Sequence, residues 1–318
     1  MSASNNVVYD NFFLSNEIED QFSSHLDLLT FCNIDRSLVG TAGMKRVIHV
    51  YSATDGTEKL AMGYGNTKTI EVGYKSKEYE ILLAQNEFDY YDEQAMKDPM
   101  LVPVGMKHAG TDMFNTVNAD IYAEFKKTPQ VVVVETFNFD SFADADSVLN
   151  LENLEGVQRF AFVSPDDVAA LRKKLKDTLQ YVEAFAKNGY IGTVAGCNIY
   201  TKKDADKGTI VFGTKDAVTY FDKVGVEVEQ VGKNNRAKGE ANVRLNSIFS
   251  RKYYLAALTD ETKAVKIIMG EAAATEDATV SSAKTYYKKN GNGYIAVTPE
   301  EGDNPATEGW YEITPTNP

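Results

Sequence analysis

Apolar positions change their spacing several times along the chain, and each change marks an element. Ile18, Phe22, Leu26 and Leu29 recur at helical spacing, with Ser15 or Asn16 placed to cap the helix and a polar arm carrying Tyr9, Phe12 and Phe13 ahead of it. From Lys45 the period shortens to two. Val47, Ile48, Val50 and Tyr51 precede Thr54-Asp55-Gly56-Thr57, and Ile70, Val72, Tyr74 and Tyr79 follow, which predicts a long hairpin turning at Asp55-Gly56 with Gly63 and Gly65 loosening its middle. Met106, Ala109, Met113, Val117, Ile121 and Phe125 then recur every three or four residues, giving a helix of about five turns that Thr128-Pro129 ends.

The middle of the chain alternates strand and helix. Residues 130–135 and 159–163 are apolar runs of buried-strand length, and between them Asp140 or Ser141 can cap a helix carrying Phe142, Ala145, Val148 and Leu149. At Ser164-Pro165-Asp166-Asp167 serine caps, proline takes the first helical position, and the acids face the positive end of the helix. Val168, Leu171, Leu175, Leu179 and Val182 form its buried stripe, and Asn188-Gly189 stops it. Further strands are expected at 190–200, 208–212, 225–231 and 242–257. Residues 270–282, rich in Ala, Thr and Glu, read as a linker to a separate appendage of short strands around Tyr286, Tyr294, Trp310 and Tyr311, expected to form an exposed aromatic patch. Helices and strands interleaved in the middle, with hairpins at the ends, make an α+β chain.

The chain is 318 residues long, and 33 basic against 46 acidic residues leave it at −13. That balance speaks against sequence-independent grip on DNA or anionic lipid, which relies on clustered Lys and Arg. The lysines at 173, 174, 176, 202 and 203 read as solvated faces beside Asp177 and Asp204. The longest aliphatic run, 131–134, is far below the ~20 residues that cross a bilayer, so no membrane partner is expected. The first residues lack the basic and apolar blocks of a secretory signal. Cys32 and Cys197 are too few for a disulfide framework and read as buried small hydrophobes.

Catalytic chemistry finds no foothold. His25, His49 and His108 lie in different elements without zinc spacing, and no Gly-x-Ser-x-Gly elbow is present. Gly63-Tyr64-Gly65-Asn66-Thr67-Lys68 completes neither phosphate-loop pattern. Asp144, Asp146, Asn150, Glu152 and Glu155 offer oxygen ligands, but Val148 and Leu149 stand where a calcium loop needs a ligand and a glycine. No catalytic residue, metal ligand or cofactor is therefore assigned, and the chain is not expected to be an enzyme.

The order of elements resembles the major capsid proteins of tailed bacteriophages, the Hong Kong 97-type fold. Two segments carry the resemblance. The run from Arg159-Phe160-Ala161-Phe162-Val163 through Ser164-Pro165-Asp166-Asp167 to Leu171 is similar to the strand, Ser-Pro and helix of the family's axial domain. Gly189-Tyr190-Ile191-Gly192-Thr193-Val194-Ala195-Gly196-Cys197-Asn198-Ile199 is similar to its Gly-x-Ile-Gly-Thr-Ile-Ala-Gly segment. The resemblance covers about residues 15–270. It implies an N-terminal arm and short helix over 1–43, an extended loop over 44–83, a peripheral domain with a spine helix over 84–135 and 233–270, an axial domain over 136–232, and a linker with a β-rich appendage over 271–318.

The resemblance implies a shell protein. Copies would meet as pentamers and hexamers in a closed icosahedral head around double-stranded DNA, made in the bacterial host cytoplasm and located in the virion. A separate scaffolding protein, a portal and decoration proteins are the implied partners, and no helical scaffolding segment precedes the first helix. In the extended loop, Val47, Val50, Tyr51, Ile70, Val72 and Tyr74 would meet the neighbouring subunit, since an isolated two-stranded hairpin is only marginally stable. Lys45, Lys59 and Lys68 on that loop are read as edge protection rather than cross-link donors. Two other readings stand beside it: a phage or bacterial binding module that uses Tyr286, Tyr294, Trp310 and Tyr311 as a glycan face, and an encapsulin-like nanocompartment shell.

Overall fold

The structure is a computed structural model that describes residues 26–40, 43–151, 157–179, 192–300 and 302–316. In chain order its first half holds β1 (Asn33–Asp35), β2 (Lys45–Ala53), β3 (Val72–Glu80), β4 (Leu82–Tyr91), α1 (Asp92–Lys97), α2 (Leu101–Lys126), β5 (Gln130–Val134), α3 (Phe139–Leu149), β6 (Arg159–Val163) and α4 (Pro165–Leu179). The second half holds β7 (Thr193–Val194), β8 (Cys197–Thr201), β9 (Thr209–Thr214), β10 (Val218–Val231), α5 (Lys238–Val243), β11 (Leu245–Leu258), β12 (Ala264–Ala274), β13 (Tyr287–Asn290), β14 (Gly293–Ala296) and β15 (Tyr311–Pro315). The helix expected near residues 16–29 falls mostly outside the described residues, which begin at Leu26.

Strand pairing sorts these elements into one large sheet, one small sheet and a hairpin apart from both. The large sheet runs β15-β13-β14-β5-β12-β9-β6-β8-β7, and β15 returns to pair with β12. The small one runs β1-β10-β11-β4, and among the described residues β2 pairs only with β3. Side-chain alternation explains how the large sheet is covered on both faces. On β6, Ala161 and Val163 enter one core with Phe142, Ala145, Leu149, Val168 and Leu171 of α3 and α4. Phe160 and Phe162 enter the other, with Val117, Ile121, Tyr122 and Phe125 of α2 and the 28–32 segment. That second core also takes Tyr220, Tyr254, Ala256 and Leu258 from the small sheet, so α2 joins the two sheets. Burial of each such aromatic ring is worth roughly 1.5–3 kcal/mol.

Local chemistry sets the helix ends. Pro103 lies in the first turn of α2, where a missing N–H costs nothing, so the helix starts before the proline rather than after it. A Cβ on Gly105 would fall 2.5 Å from the Phe88 ring, which is how α2 comes so close to β4. Asn138, not Asp140 or Ser141, caps α3: its side chain accepts from Ser141 N–H, and Ser141 Oγ answers to Asn138 N–H. Ser164 Oγ accepts from Asp167 N–H at 3.1 Å and donates to Asp167 Oδ2 at 2.8 Å, with Pro165 opening α4. Asp167 Oδ2 in turn accepts from Gly208 N–H, tying the cap to the start of β9.

The sheets divide the chain differently from the sequence boundaries. β5 and β12, expected in the peripheral region, belong to the large sheet with β6, β8 and β9, while β10, expected in the axial region, belongs to the small one. The single strand expected at 190–200 is the hairpin β7-β8 from residue 192 onward, turned by Ala195 and Gly196 at φ 49° and 77°. Residues 270–274 are not linker but the end of β12, paired with β15. The C-terminal strands are no separate appendage either: β12, β5, β14, β13 and β15 pair in a ring, a small closed barrel at the end of the large sheet. Closure requires close approach. A Cβ on Gly270 would lie 2.4 Å from the Thr314 carbonyl oxygen.

Gly270→Val should force β15 off β12 and cost about 1–3 kcal/mol. Trp310 is the only tryptophan, so its emission should move to the red, and an unchanged spectrum and melting curve would show that the barrel is not closed this way. Ser164→Ala should lower the stability of the subunit by about 0.5–2 kcal/mol through the lost cap, measured by denaturant titration, with an unchanged midpoint contradicting the cap.

Candidate assembly surface

The hairpin β2-β3 leaves the small sheet at its base and carries its apolar positions into solvent. Its register runs from Lys45 opposite Glu80 to Ala53 opposite Val72. Opposed residues share a face, so Val47 with Glu78, His49 with Ser76, and Ala53 with Val72 lie on one side, together with the Tyr51–Tyr74 pair. Val72 and Tyr74 are each 65% exposed, and Val47 and Ile70 are exposed as well. Val50 pairs with Lys75, one residue out of phase with Val47, Val72 and Tyr74; the side chains of Val50 and Tyr51 lie outside the described part. Ile70 precedes β3 and packs beside Gly56, where a Cβ would fall 2.5 Å from Ile70 Cγ1.

That packing corrects the expected turn. Asp55-Gly56 does not reverse the chain. Thr54 N–H donates to Glu71 C=O, so the two arms are still side by side there, and reversal comes at Ala61–Tyr64 with Gly63 at φ 91°. Between them Glu58 accepts from Thr67 N–H at 2.8 Å and Thr67 Oγ1 at 2.7 Å, which holds its carboxyl below the usual range. Leu60, Met62 and Tyr64 stand exposed at the tip.

Among the described residues only the base is anchored. Ile48 and Tyr79 pack against Leu38, Ile81, Phe221, Leu255 and Ala257. The Arg46 guanidinium lies 5.7 Å from the Phe221 ring centre, and Tyr79 Oη donates to Leu258 C=O. Lys77 pairs with Glu261 and Lys45 with Glu78, the latter raising the Lys45 pKa. Among the described residues no third strand pairs with the hairpin.

The far end of the small sheet is stapled by a cluster that sequence reasoning missed. Arg236 donates to both Asp92 carboxylate oxygens, at 3.1 and 2.7 Å, and to Asn246 Oδ1. Asn246 Nδ2 donates back to Asp92 Oδ1. The Arg236 hydrogen bonds, with that of Asn246, hold the Asp92 carboxyl below its ordinary range. These residues are 144 and 154 positions apart, and no local pattern announces them.

Other expected positions are placed differently. Tyr286 and Trp310 are 0% and 3% exposed, with ring centres 5.6 Å apart, so they form a small core and not a surface patch. Tyr294 and Tyr311 meet edge to face beside them, both half-buried. The glycan-face reading loses its ligand surface. Lys202, read as solvated, is 5% exposed, its ammonium 5.1 Å from the Tyr122 ring centre and its pKa lowered by burial. It lines a cleft of about 420 Å³ with Lys126 and Tyr122. Cys32 and Cys197 are buried, and burial pushes the Cys32 thiol up to about 12. Among the described residues no group of three or more His, Cys, Asp or Glu could hold a metal, and no helix is long and apolar enough to cross a membrane.

Comparison with known proteins agrees with this geometry. No family model matches the chain. The major capsid protein of Staphylococcus phage phiMR11 is 23% identical over 263 residues, which cover 80% of this chain and 90% of that protein. The capsid structure of cyanophage P-SCSP1u superposes with a TM-score of 0.60 at 12% identity, covering 84% of this chain and 92% of that one. The SrpI encapsulin of Synechococcus elongatus gives 0.53 at 10% identity over 84% and 92%. The chain has the Hong Kong 97-type fold, and its sequence is similar over most of its length to that of a phage major capsid protein.

Proposed function

We propose that copies of this chain assemble as pentamers and hexamers into the icosahedral head of a tailed phage, closed around double-stranded DNA, and that the hairpin of each copy lies on its neighbour. The observation that carries this reading is the hairpin itself. Two strands of nine residues each project from a sheet that anchors only their base, and they present Val47, Val72 and Tyr74 to solvent. A two-stranded ribbon with an uncovered apolar face is marginal on its own, and a second copy is the surface that covers it. The encapsulin likeness is confined to the fold, whereas the sequence relative is a phage capsid protein.

Enclosure without grip fits the charge. At −13 per copy, a shell of many copies repels phosphate as a whole. Lys202 and Lys126 are engaged with Tyr122 and with Asp204 and Asp206 rather than free for phosphate. Scaffolding, portal and decoration proteins belong to the same proposal as partners of the shell.

His49 stands opposite Ser76, so a two-residue Asn-Gly turn can replace residues 50–75 without disturbing the base. The shortened subunit should stay soluble, melt within a few degrees of the full chain, and form no closed particles by negative-stain microscopy; normal particles would remove the hairpin from the assembly contact. Shells or subunits mixed with double-stranded DNA at ~50 mM salt should bind weakly, whereas tight binding that falls steeply as salt rises would contradict enclosure without grip.

A further inference from the structure

Lys202 is 5% exposed, yet it lines the cleft of about 420 Å³ beside α2. The backbone fixes it there: β8 ends with Thr201 opposite Val163, and Lys202 N–H then donates to Val163 C=O at 2.9 Å. Thr116, Ala119 and Ala123 of α2 also line the cleft, share one helix face, and leave by their small size the space that larger residues would fill. Thr116 and Ala119 are exposed, so the cleft opens to solvent. The Lys202 ammonium lies 5.1 Å from the Tyr122 ring centre and the Lys126 ammonium 5.2 Å from the same centre, so two cations meet at one ring. Lys126 takes Asp206 at 2.9 Å, whereas Asp204 stays 3.8 Å from Lys202 Nζ, too long for a hydrogen bond. Burial lowers the Lys202 pKa, and Lys126 adds to this against the raising effect of Asp204 and Asp206. At neutral pH a larger share of this amine is therefore unprotonated than of a solvated lysine, and the unprotonated amine is a nucleophile.

We infer that Lys202 is a covalent modification site, whose amine, held in the cleft beside Lys126, condenses with small uncharged aldehydes and ketones. The inference goes beyond the shell reading and does not depend on it. Nζ attacks the carbonyl carbon and forms a C–N bond, while the carbonyl π pair moves to oxygen and takes up a proton. The carbinolamine then loses that oxygen, and the amine's two protons and the carbonyl oxygen leave as one water molecule from a C=N bond. No oxidant or reductant is consumed. The cleft volume limits the ligand to a small molecule, and the charge balance specifies an uncharged one, because Asp204 and Asp206 already match the two ammonium groups. A carbonyl compound suits a site whose distinguishing group is a buried amine rather than an excess of positive charge.

Full-length subunits treated with propanal and cyanoborohydride at neutral pH, then mapped by mass spectrometry, test this, since the hydride reduces the imine to a stable secondary amine. Lys202 should label about tenfold faster than its exposed neighbour Lys203, and equal rates would overturn the inference. Lys266 separates the cleft from burial alone. It is half-buried on β12 with a pKa lowered chiefly by burial, and it is not among the residues that line the cleft. It should label no faster than Lys203, and labelling as fast as that of Lys202 would overturn the inference by showing that burial alone selects the amine. Ala119→Phe, at an exposed position on the cleft, should keep the melting temperature and slow labelling at Lys202 without changing it at Lys203. Lys126→Met should move the pH midpoint of Lys202 labelling upward by removing the like charge and freeing Asp206. An unaltered rate in the first variant, or an unaltered midpoint in the second, would contradict the site.

Discussion

A two-stranded ribbon cannot cover its own faces, and the organisation of this chain depends on where that constraint is met and where it is left unmet. In the large sheet it is met completely. Helices α3 and α4 cover one face, α2 covers the other, and the C-terminal strands close the end of the sheet into a ring, with Trp310 and Tyr286 buried against each other. In the hairpin it is left unmet. Among the described residues nothing covers the exposed apolar side chains of the hairpin, which is the arrangement expected of a surface completed by other copies.

The long helix α2 makes this division possible. Its buried residues Val117, Ile121, Tyr122 and Phe125 contact strands of both sheets within one core, so one helix ties the two halves together. Asp120 accepts from Tyr254 Oη, and Glu124 accepts from Leu258 N–H, which fixes β11 against the same helix. The hairpin base is in turn held to the end of β11 through Tyr79 and Lys77. The projecting ribbon therefore inherits its direction from the core rather than from its own pairing.

The range of each interaction decides whether the sequence discloses it. Ser164-Pro165-Asp166-Asp167 is legible because a helix cap is made within three residues, and the alternation of 45–53 is legible because a strand displays its period directly. The turn was misplaced because Asp55-Gly56 carries the right residues for a reversal, while Gly56 is in fact glycine to admit Ile70 from the returning arm. Sheet membership was misassigned for β5, β10 and β12 because pairing partners lie scores of residues apart. Burial of Tyr286 and Trp310 was hidden for the same reason: a short aromatic-rich segment reads alike whether it faces solvent or closes a barrel. The Asp92, Arg236 and Asn246 cluster has no local signature at all.

The family resemblance was legible in the arrangement of elements more than in any motif. One motif has a physical basis in the structure: in the segment ending Val194-Ala195-Gly196-Cys197, Ala195 and Gly196 both take positive φ to turn β7 into β8. The central claim is that the hairpin belongs to its neighbour in the assembled state. Electron cryomicroscopy of the assembled protein, at a resolution that traces the backbone, tests it directly. The account predicts residues 44–81 lying across an adjacent copy, and a hairpin folded back on its own subunit, or projecting without contact, would contradict it.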